Sequence, residues 1–372
     1  MKKIKAVALS DLHLGDTESL LYQDNKNKEN IIDITTDKIS QLPDPKDGEK
    51  GQIDELILMG DIADLSEAKP KIAYDNLKVF LNKLLDKVNI SKIIYVIGNH
   101  DHHLWVELIE YNQKKKYMDC VKTNILIHKE NDDFFKERFG NIDVDMLFTY
   151  PNYIIQSDDP CATFFFHHGH FLSETVIEGM VNKEKVKDLE DLENRATRDM
   201  EFVWWNLKKI DPIKERFYDL IVRKAEYFFQ KRSSRGTTFV EDSKPIADDY
   251  MLKSMAWYLN KICKINLRLN EDFHLIFGHT HQGGRLLRDD RTLRIQGRFI
   301  TVWNTGGWIV PTDLWSPDAY IFYIEEKKEN GKITLIPNAF KIVAFPEETN
   351  YPNAEGDYDR SILYKCLSRI GK

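Results

Sequence analysis

The 372-residue sequence predicts an α/β fold built on mixed β-sheet, and three observations carry that expectation. Short apolar runs of strand length recur along the chain, and six of them end abruptly in a polar cluster. A helical periodicity separates the second run from the third, the order of a strand–helix–strand crossover. Two later runs are joined by a turn-forming segment, so a sheet that begins with crossovers finishes with a hairpin.

Lys5–Ser10 runs into Asp11-Leu12-His13, Leu56–Met59 into Gly60-Asp61, and Ile93–Ile97 into Gly98-Asn99-His100-Asp101. Thr163–Phe166 leads to His167-His168-Gly169-His170 and Phe273–Phe277 to Gly278-His279-Thr280-His281. Phe299–Trp303 ends in Asn304-Thr305-Gly306-Gly307-Trp308. These runs are β-branched or aromatic and bounded by glycine or charge, as buried strands are. Between the second and third, Ile72, Leu77, Phe80, Leu81, Leu84, Leu85 and Val88 recur at helical spacing. Sheets of this kind bind ligands beyond the carboxyl ends of their strands. Ala319–Ile324 and Ile333–Ile336 flank a Glu-Asn-Gly turn and read as the hairpin. The polar stretch Pro43–Gln52 reads as a surface loop.

From Ser173 to Leu269 the pattern changes. Leu189, Leu192, Ala196, Met200, Val203, Leu207 and Ile210 fall three or four apart, and more helix follows through Phe217–Phe229 and Met251–Leu259. The expected organisation is a catalytic domain of residues 1–172 and 270–345, a helical cap insertion of 173–269, and a tail of 346–372.

Apolar residues make up 42% of the chain, enough to bury a substantial core. Cys120, Cys161, Cys263 and Cys366 are scattered without a CxxC pair, as thiols of a reducing compartment are. The lysines near the N-terminus precede too short an apolar run for a signal peptide. No stretch approaches the roughly 20 apolar residues of a spanning helix. The expected location is cytoplasmic. A net charge of −7 does not favour nucleic acid, yet residues 206–235 hold nine Lys or Arg against four acids. That excess either steers an anionic substrate, nucleic acid or lipid headgroup, or forms a solvated helix face. Trp204 and Trp205 either stack on a ligand or enter the core.

The chemistry lies at the strand ends: Asp11, His13, Asp61, Asn99, His168, His279 and His281. All offer carboxylate, amide or imidazole donors and none a thiolate, which suits Mn, Fe or Zn. Asp-x-His and His-x-His place alternate side chains on one face of an extended segment, so both reach one metal cluster. Five such clusters make a two-metal site plausible, with Asp61 the natural bridging carboxylate.

The order Asp-Leu-His, Gly-Asp-x-x-Asp, Gly-Asn-His-Asp, His-Gly-His, Gly-His-Thr-His resembles the calcineurin-like metallophosphoesterases over about 270 residues. The resemblance implies an αββα sandwich of mixed sheets flanked by helices. It implies that Asp11, His13, Asp61 and His281 hold one metal, and Asp61, Asn99, His168 and His279 the other. A hydroxide between two divalent or trivalent ions, Mn foremost, would attack phosphorus. His100 matches the histidine that contacts phosphate and protonates the leaving oxygen, and Asp64 the acid that orients it.

In His167–His170 the resemblance selects His168, the residue before glycine, and leaves His167 structural. His170 either touches substrate or caps the next segment. His102 and His103 read as surface or supporting residues, and His128 and His274 carry no signal. Gly306 and Gly307 would permit close backbone approach to phosphate. Leu65 and Asp101 stand where Ser/Thr protein phosphatases carry Arg and Glu. The reading is therefore a phosphomonoesterase or phosphodiesterase acting on a phosphorylated small molecule or nucleotide. Alternatives are a DNA or RNA nuclease, a UDP-diacylglucosamine hydrolase-like pyrophosphatase, and an inactive metal-binding scaffold.

Overall fold

The computed structural model describes residues 2–16, 19–21, 29–46, 48–66, 68–113, 123–158, 160–172, 185–200, 249–268, 271–281, 284–285, 293–308, 319–329 and 331–342. Five strands come first: β1 (Lys3–Leu9), β2 (Gly51–Met59), β3 (Val88–Val96), β4 (Leu126–His128) and β5 (Asp145–Thr149). Next come β6 (Asn152–Asp158), β7 (Cys161–His167), β8 (Asp272–Phe277), β9 (Gly284–Arg285), β10 (Leu293–Ile295) and β11 (Arg298–Asn304). The last two are β12 (Tyr320–Glu329) and β13 (Lys332–Lys341). The α-helices are α1 (Glu29–Gln41), α2 (Pro70–Lys87), α3 (His102–Gln113), α4 (Asp133–Phe139), α5 (Leu189–Met200) and α6 (Asp249–Trp257). A π-helical turn, Tyr258–Ile262, continues α6.

The strands form two mixed sheets. One runs β13-β12-β1-β2-β3-β5-β4, with β1, β2, β3 and β5 parallel and the remaining pairs antiparallel. The other runs β10-β11-β8-β7-β6, with β7, β8 and β11 parallel and β9 added to β11. Alternation along β1 shows how they stack. Ala6 and Ala8 join Phe164 and Phe166 of β7 and Phe322 of β12 in the core between the sheets. Val7 and Leu9 face the other way, into a core shared with α1 to α4. The outer face of the second sheet, with Phe273, Leu275 and Val302, is covered by Leu192 of α5, Met255 of α6 and Leu259. The result is helix, sheet, sheet, helix, the αββα sandwich.

Local sequence explains the elements. Pro70 opens α2, where its missing N–H costs nothing. Ala73, Leu77, Phe80, Leu81 and Leu84 form its buried stripe, each large side chain worth about 1.5–3 kcal/mol in removed apolar surface. The expected helix ran to Val88, but the backbone turns extended there and β3 starts without a loop. Asp132 caps α4 by accepting from Phe135 N at 3.2 Å, and Gly140 ends it at φ 75°. The expected loop Pro43–Gln52 is shorter, since Pro43 is buried and Gly51 already pairs with Val88. Of the expected helical insertion, α5 and α6 are described. Residues 201–248, including the basic segment, Trp204, Trp205 and Phe217–Phe229, lie outside the described residues, as does the tail 346–372. Among the described residues, no helix is long and apolar enough to cross a membrane.

Candidate metal centre

Parallel pairing aims the carboxyl ends of β1, β2 and β3, and of β7 and β8, in common directions, and the polar clusters follow those ends. Backbone hydrogen bonds tie the loops together. Asp11 N donates to Gly60 O at 3.0 Å, His13 N to Asp61 O at 2.9 Å, and Gly278 N to His168 O at 2.8 Å. Asp11, His13, Asp61, His279 and His281 all take positive φ, between 44° and 64°. Asp and His tolerate this left-handed region better than most residues, at a cost of about 1–3 kcal/mol each, and such strain clusters where function holds it. Gly98 and Gly278 lie where a Cβ would collide with the carboxylates of Asp61 and Asp11. Close packing, not turn geometry alone, requires glycine there.

Two groups of donor atoms result. Asp11, His13 and His281 bring ligand atoms within 4.8 Å of one another, as do Asp61, His168 and His279. Asp61 Oδ2 stands between the groups, 3.9 Å from His13 Nε2 and 3.1 Å from His168 Nε2. Asn99 Oδ1 lies 2.8 Å from His168 Nε2, and His279 Nδ1 lies 3.3 Å from it. Asp11, His13, Asp61 and His168 are buried, while Asn99, His100, His279 and His281 are partly exposed and form the open side.

The donors fit a metal ion. His13 Nδ1 lies 2.9 Å from Asp64 Oδ2 and donates to it, so the Nε2 lone pair faces the cluster. That Nε2 is buried with no hydrogen-bond partner. His168 Nδ1 lies 3.3 Å from Met59 O, which likewise turns Nε2 inward. An imidazole whose outer N–H is held by a carboxylate or carbonyl is the usual arrangement behind a metal. Charge agrees. Burial opposes ionisation of Asp61, yet His168, His100 and His13 hold its carboxyl well below the usual range. Burial also opposes protonation of His168, but Asp61 outweighs it and lifts that imidazole to about 9. Burial and His168 push His279 down to about 3. The buried carboxylates demand positive charge, which His168 meets by holding a proton; a cation would replace that proton and also take the lone pair that His279 offers.

The calcineurin-like phosphoesterase family model matches residues 4–283, from β1 to just beyond His281. The chain belongs to the calcineurin-like phosphoesterase family. No curated protein matches it. Among solved structures, 91% of the chain aligns with 99% of a dimetal phosphatase from Danio rerio, at 12% identity and a TM-score of 0.37. It also aligns over 92% of its length with all of Vacuolar Protein Sorting 29 from Cryptosporidium parvum, at 10% identity and a TM-score of 0.27.

In this calcineurin-like phosphoesterase, His100 sits beside the donors, its ring 4.8 Å from that of His13. Its Nδ1 lies 2.5 Å from Ser66 Oγ and 3.4 Å from the Asp64 carboxylate. Asp64 therefore reaches both His13 and His100, and Ser66 bridges Asp64 and His100 by donating to Asp64 Oδ1 at 2.9 Å. Ser66 gave no sequence signal. Nor did Asp101 as a brace: its buried carboxylate accepts from Gly98 N at 2.6 Å, Ile62 N at 3.0 Å and Tyr95 Oη at 2.8 Å, locking two loops together.

Other expected residues fall elsewhere. His170, at the start of the turn His170–Leu172, is 1% exposed and bonded to Glu193. Gly306 N is already used by Asn304 Oδ1 at 2.7 Å, and Gly307 packs where a Cβ would meet the His281 ring. Gly307 is therefore small because the His281 ring lies against it, and the Gly306 N–H is engaged within its own loop. His167 is buried, and its Nδ1 accepts from Gly169 N at 2.8 Å. Burial and the neighbouring imidazoles keep it neutral. His102 is buried against α5, not on the surface. His274 stacks on Phe164, and His128 is exposed.

Proposed function

We propose that this protein hydrolyses a phosphoester at a site holding two metal ions, Mn first among the candidates and Fe or Zn next. The observation that supports it best is the placement of Asp61 between two groups of converging donors. Asp11, His13, Asp61 and His281 would hold one ion, and Asp61, Asn99, His168 and His279 the other. When bound, two such ions polarise the phosphoryl group and lower the pKa of attacking water. The chain's own residues do the rest. Asp64 and Ser66 engage Nδ1 of His100, so the proton offered to the leaving oxygen is the one at Nε2. Asp64 at the same time fixes the ring of His13. The partly exposed side lined by Asn99, His100, His279 and His281 is where the phosphoryl group enters.

The substrate is a phosphorylated small molecule or nucleotide, met in the cytoplasm, and residues 173–269 act as the cap that selects it. Purified protein loaded with Mn²⁺ is expected to hydrolyse p-nitrophenyl phosphate or bis-p-nitrophenyl phosphate. EDTA should abolish the activity and added Mn²⁺ should restore it. Hydrolysis of neither ester by the loaded protein would point instead to an inactive metal-binding scaffold.

A further inference from the structure

We propose that Glu193 and Thr197 form a clamp through which helix α5 positions the loops carrying His100 and His168. The clamp rests on the phosphoesterase reading above. The two residues stand one turn apart on α5, so their side chains share a face. That face is buried: Leu192 and Ala196 are 3% and 2% exposed, and Glu193 and Thr197 are 0% and 3%. A helix needs only apolar residues to seal against a core, and a buried carboxylate is costly unless it is well bonded.

The bonds of this pair run to the two loops. Glu193 Oε2 accepts from Tyr150 Oη at 2.5 Å and lies 3.1 Å from His170 Nε2. Thr197 Oγ1 lies 2.9 Å from His102 Nε2. His170 is two residues beyond His168, and His102 two beyond His100. The Tyr150 ring lies between these histidines, 5.3 Å from His102 edge-on and 6.0 Å from His170 in a stacked arrangement. One turn of α5 and one tyrosine therefore hold both loops in a common register. Catalytic groups and metal ligands need positioning to within about 0.5 Å, and neighbours of this kind supply it.

Hydrogen bonding explains the cluster better than a further metal does. His167, His170 and Glu193 bring ligand atoms within 4.8 Å of one another, and His167 Nε2, His170 Nδ1 and Glu193 Oε1 are buried without a hydrogen-bond partner. However, Gly169 N donates to His167 Nδ1, so the proton of that neutral ring sits on Nε2 and blocks ligation there.

The test titrates Mn²⁺ calorimetrically into the full-length wild type, Glu193→Ala, Glu193→Gln and Thr197→Val, alongside steady-state kinetics on p-nitrophenyl phosphate. Glu193→Ala is expected to weaken one of two Mn²⁺ sites about tenfold. Glu193→Gln keeps an oxygen for Tyr150 and His170 and should restore that site. Thr197→Val should bind both ions normally and lose kcat at unchanged KM. Variants that melt earlier but bind Mn²⁺ and turn over as the wild type does would reduce the clamp to packing and overturn it. A third metal per chain, lost in Glu193→Ala, would make Glu193 a ligand and overturn it too. If Glu193→Ala does not fold, an unchanged kcat in Thr197→Val is sufficient to overturn it. A wild type that binds no Mn²⁺ overturns the parent reading together with the clamp.

Discussion

Replacing Asp61 by Ala is expected to remove metal and activity together. Its Oδ2 is the carboxylate atom near both donor groups, 3.9 Å from His13 Nε2 and 3.1 Å from His168 Nε2. Its Oδ1 accepts from His100 N at 2.8 Å, so one side chain also fixes the backbone before the proposed acid. Two cations a few ångströms apart repel, and a shared anion is what lets both stay. Asp61→Asn is the sharper variant, because an amide keeps the bond to His100 N and removes the charge. Both variants should bind fewer than two Mn²⁺ per chain. Several kcal/mol of lost charge stabilisation corresponds to a fall in kcat of about 10³-fold or more. Elemental analysis beside kinetics checks this, and two ions retained at wild-type kcat would remove Asp61 from the bridging position.

His100→Ala is expected to separate catalysis from metal binding. With Nδ1 engaged by Ser66 and Asp64, His100 is the proposed proton donor, and loss of such a group lowers kcat by about 10²–10⁴-fold. His100 also lies within 4.8 Å of the donor atoms of His13 and Asp61, a position from which it could ligate a metal itself. The metal count in the variant decides between these roles. Two Mn²⁺ per chain with low kcat is the expected result, and loss of an ion would reassign His100 as a ligand.

The parts of the molecule legible in the sequence are those where a period meets an abrupt chemical change. An apolar run ending in an abrupt polar cluster marks both a strand and its end, so β1, β2, β3, β7, β8 and β11 were readable, and the β12–β13 hairpin with them. Helix α1 was not, because Thr35 and Thr36 share its buried face with Ile31, Ile32 and Ile39 and hide the apolar stripe. Strand β4 is three residues long, with Leu126 exposed, and leaves no alternation to find.

At the site, the donors were readable and their supports were not. Ser66, Asp101, Glu193 and Thr197 act through hydrogen bonds that reach across the fold, to His100, Ile62, Tyr150 and His102 among others, and such contacts have no sequence period. Glu193 sits in Leu-Glu-Asp-Leu-Glu-Asn, which reads as solvated helix charge, although its partner Tyr150 lies 43 residues away. Gly307 shows the converse case. Its small size was evident, but its packing against the ring of His281 depends on a contact across the fold.

The central claim is that the chain holds two metal ions between donors shared through Asp61. Its most direct test is the metal content of the wild-type protein after Mn²⁺ loading and removal of excess ion, measured by elemental analysis on the same sample used for phosphoester hydrolysis. Two equivalents of Mn²⁺ per active chain are predicted. One equivalent or none in a sample that still hydrolyses the ester would contradict it.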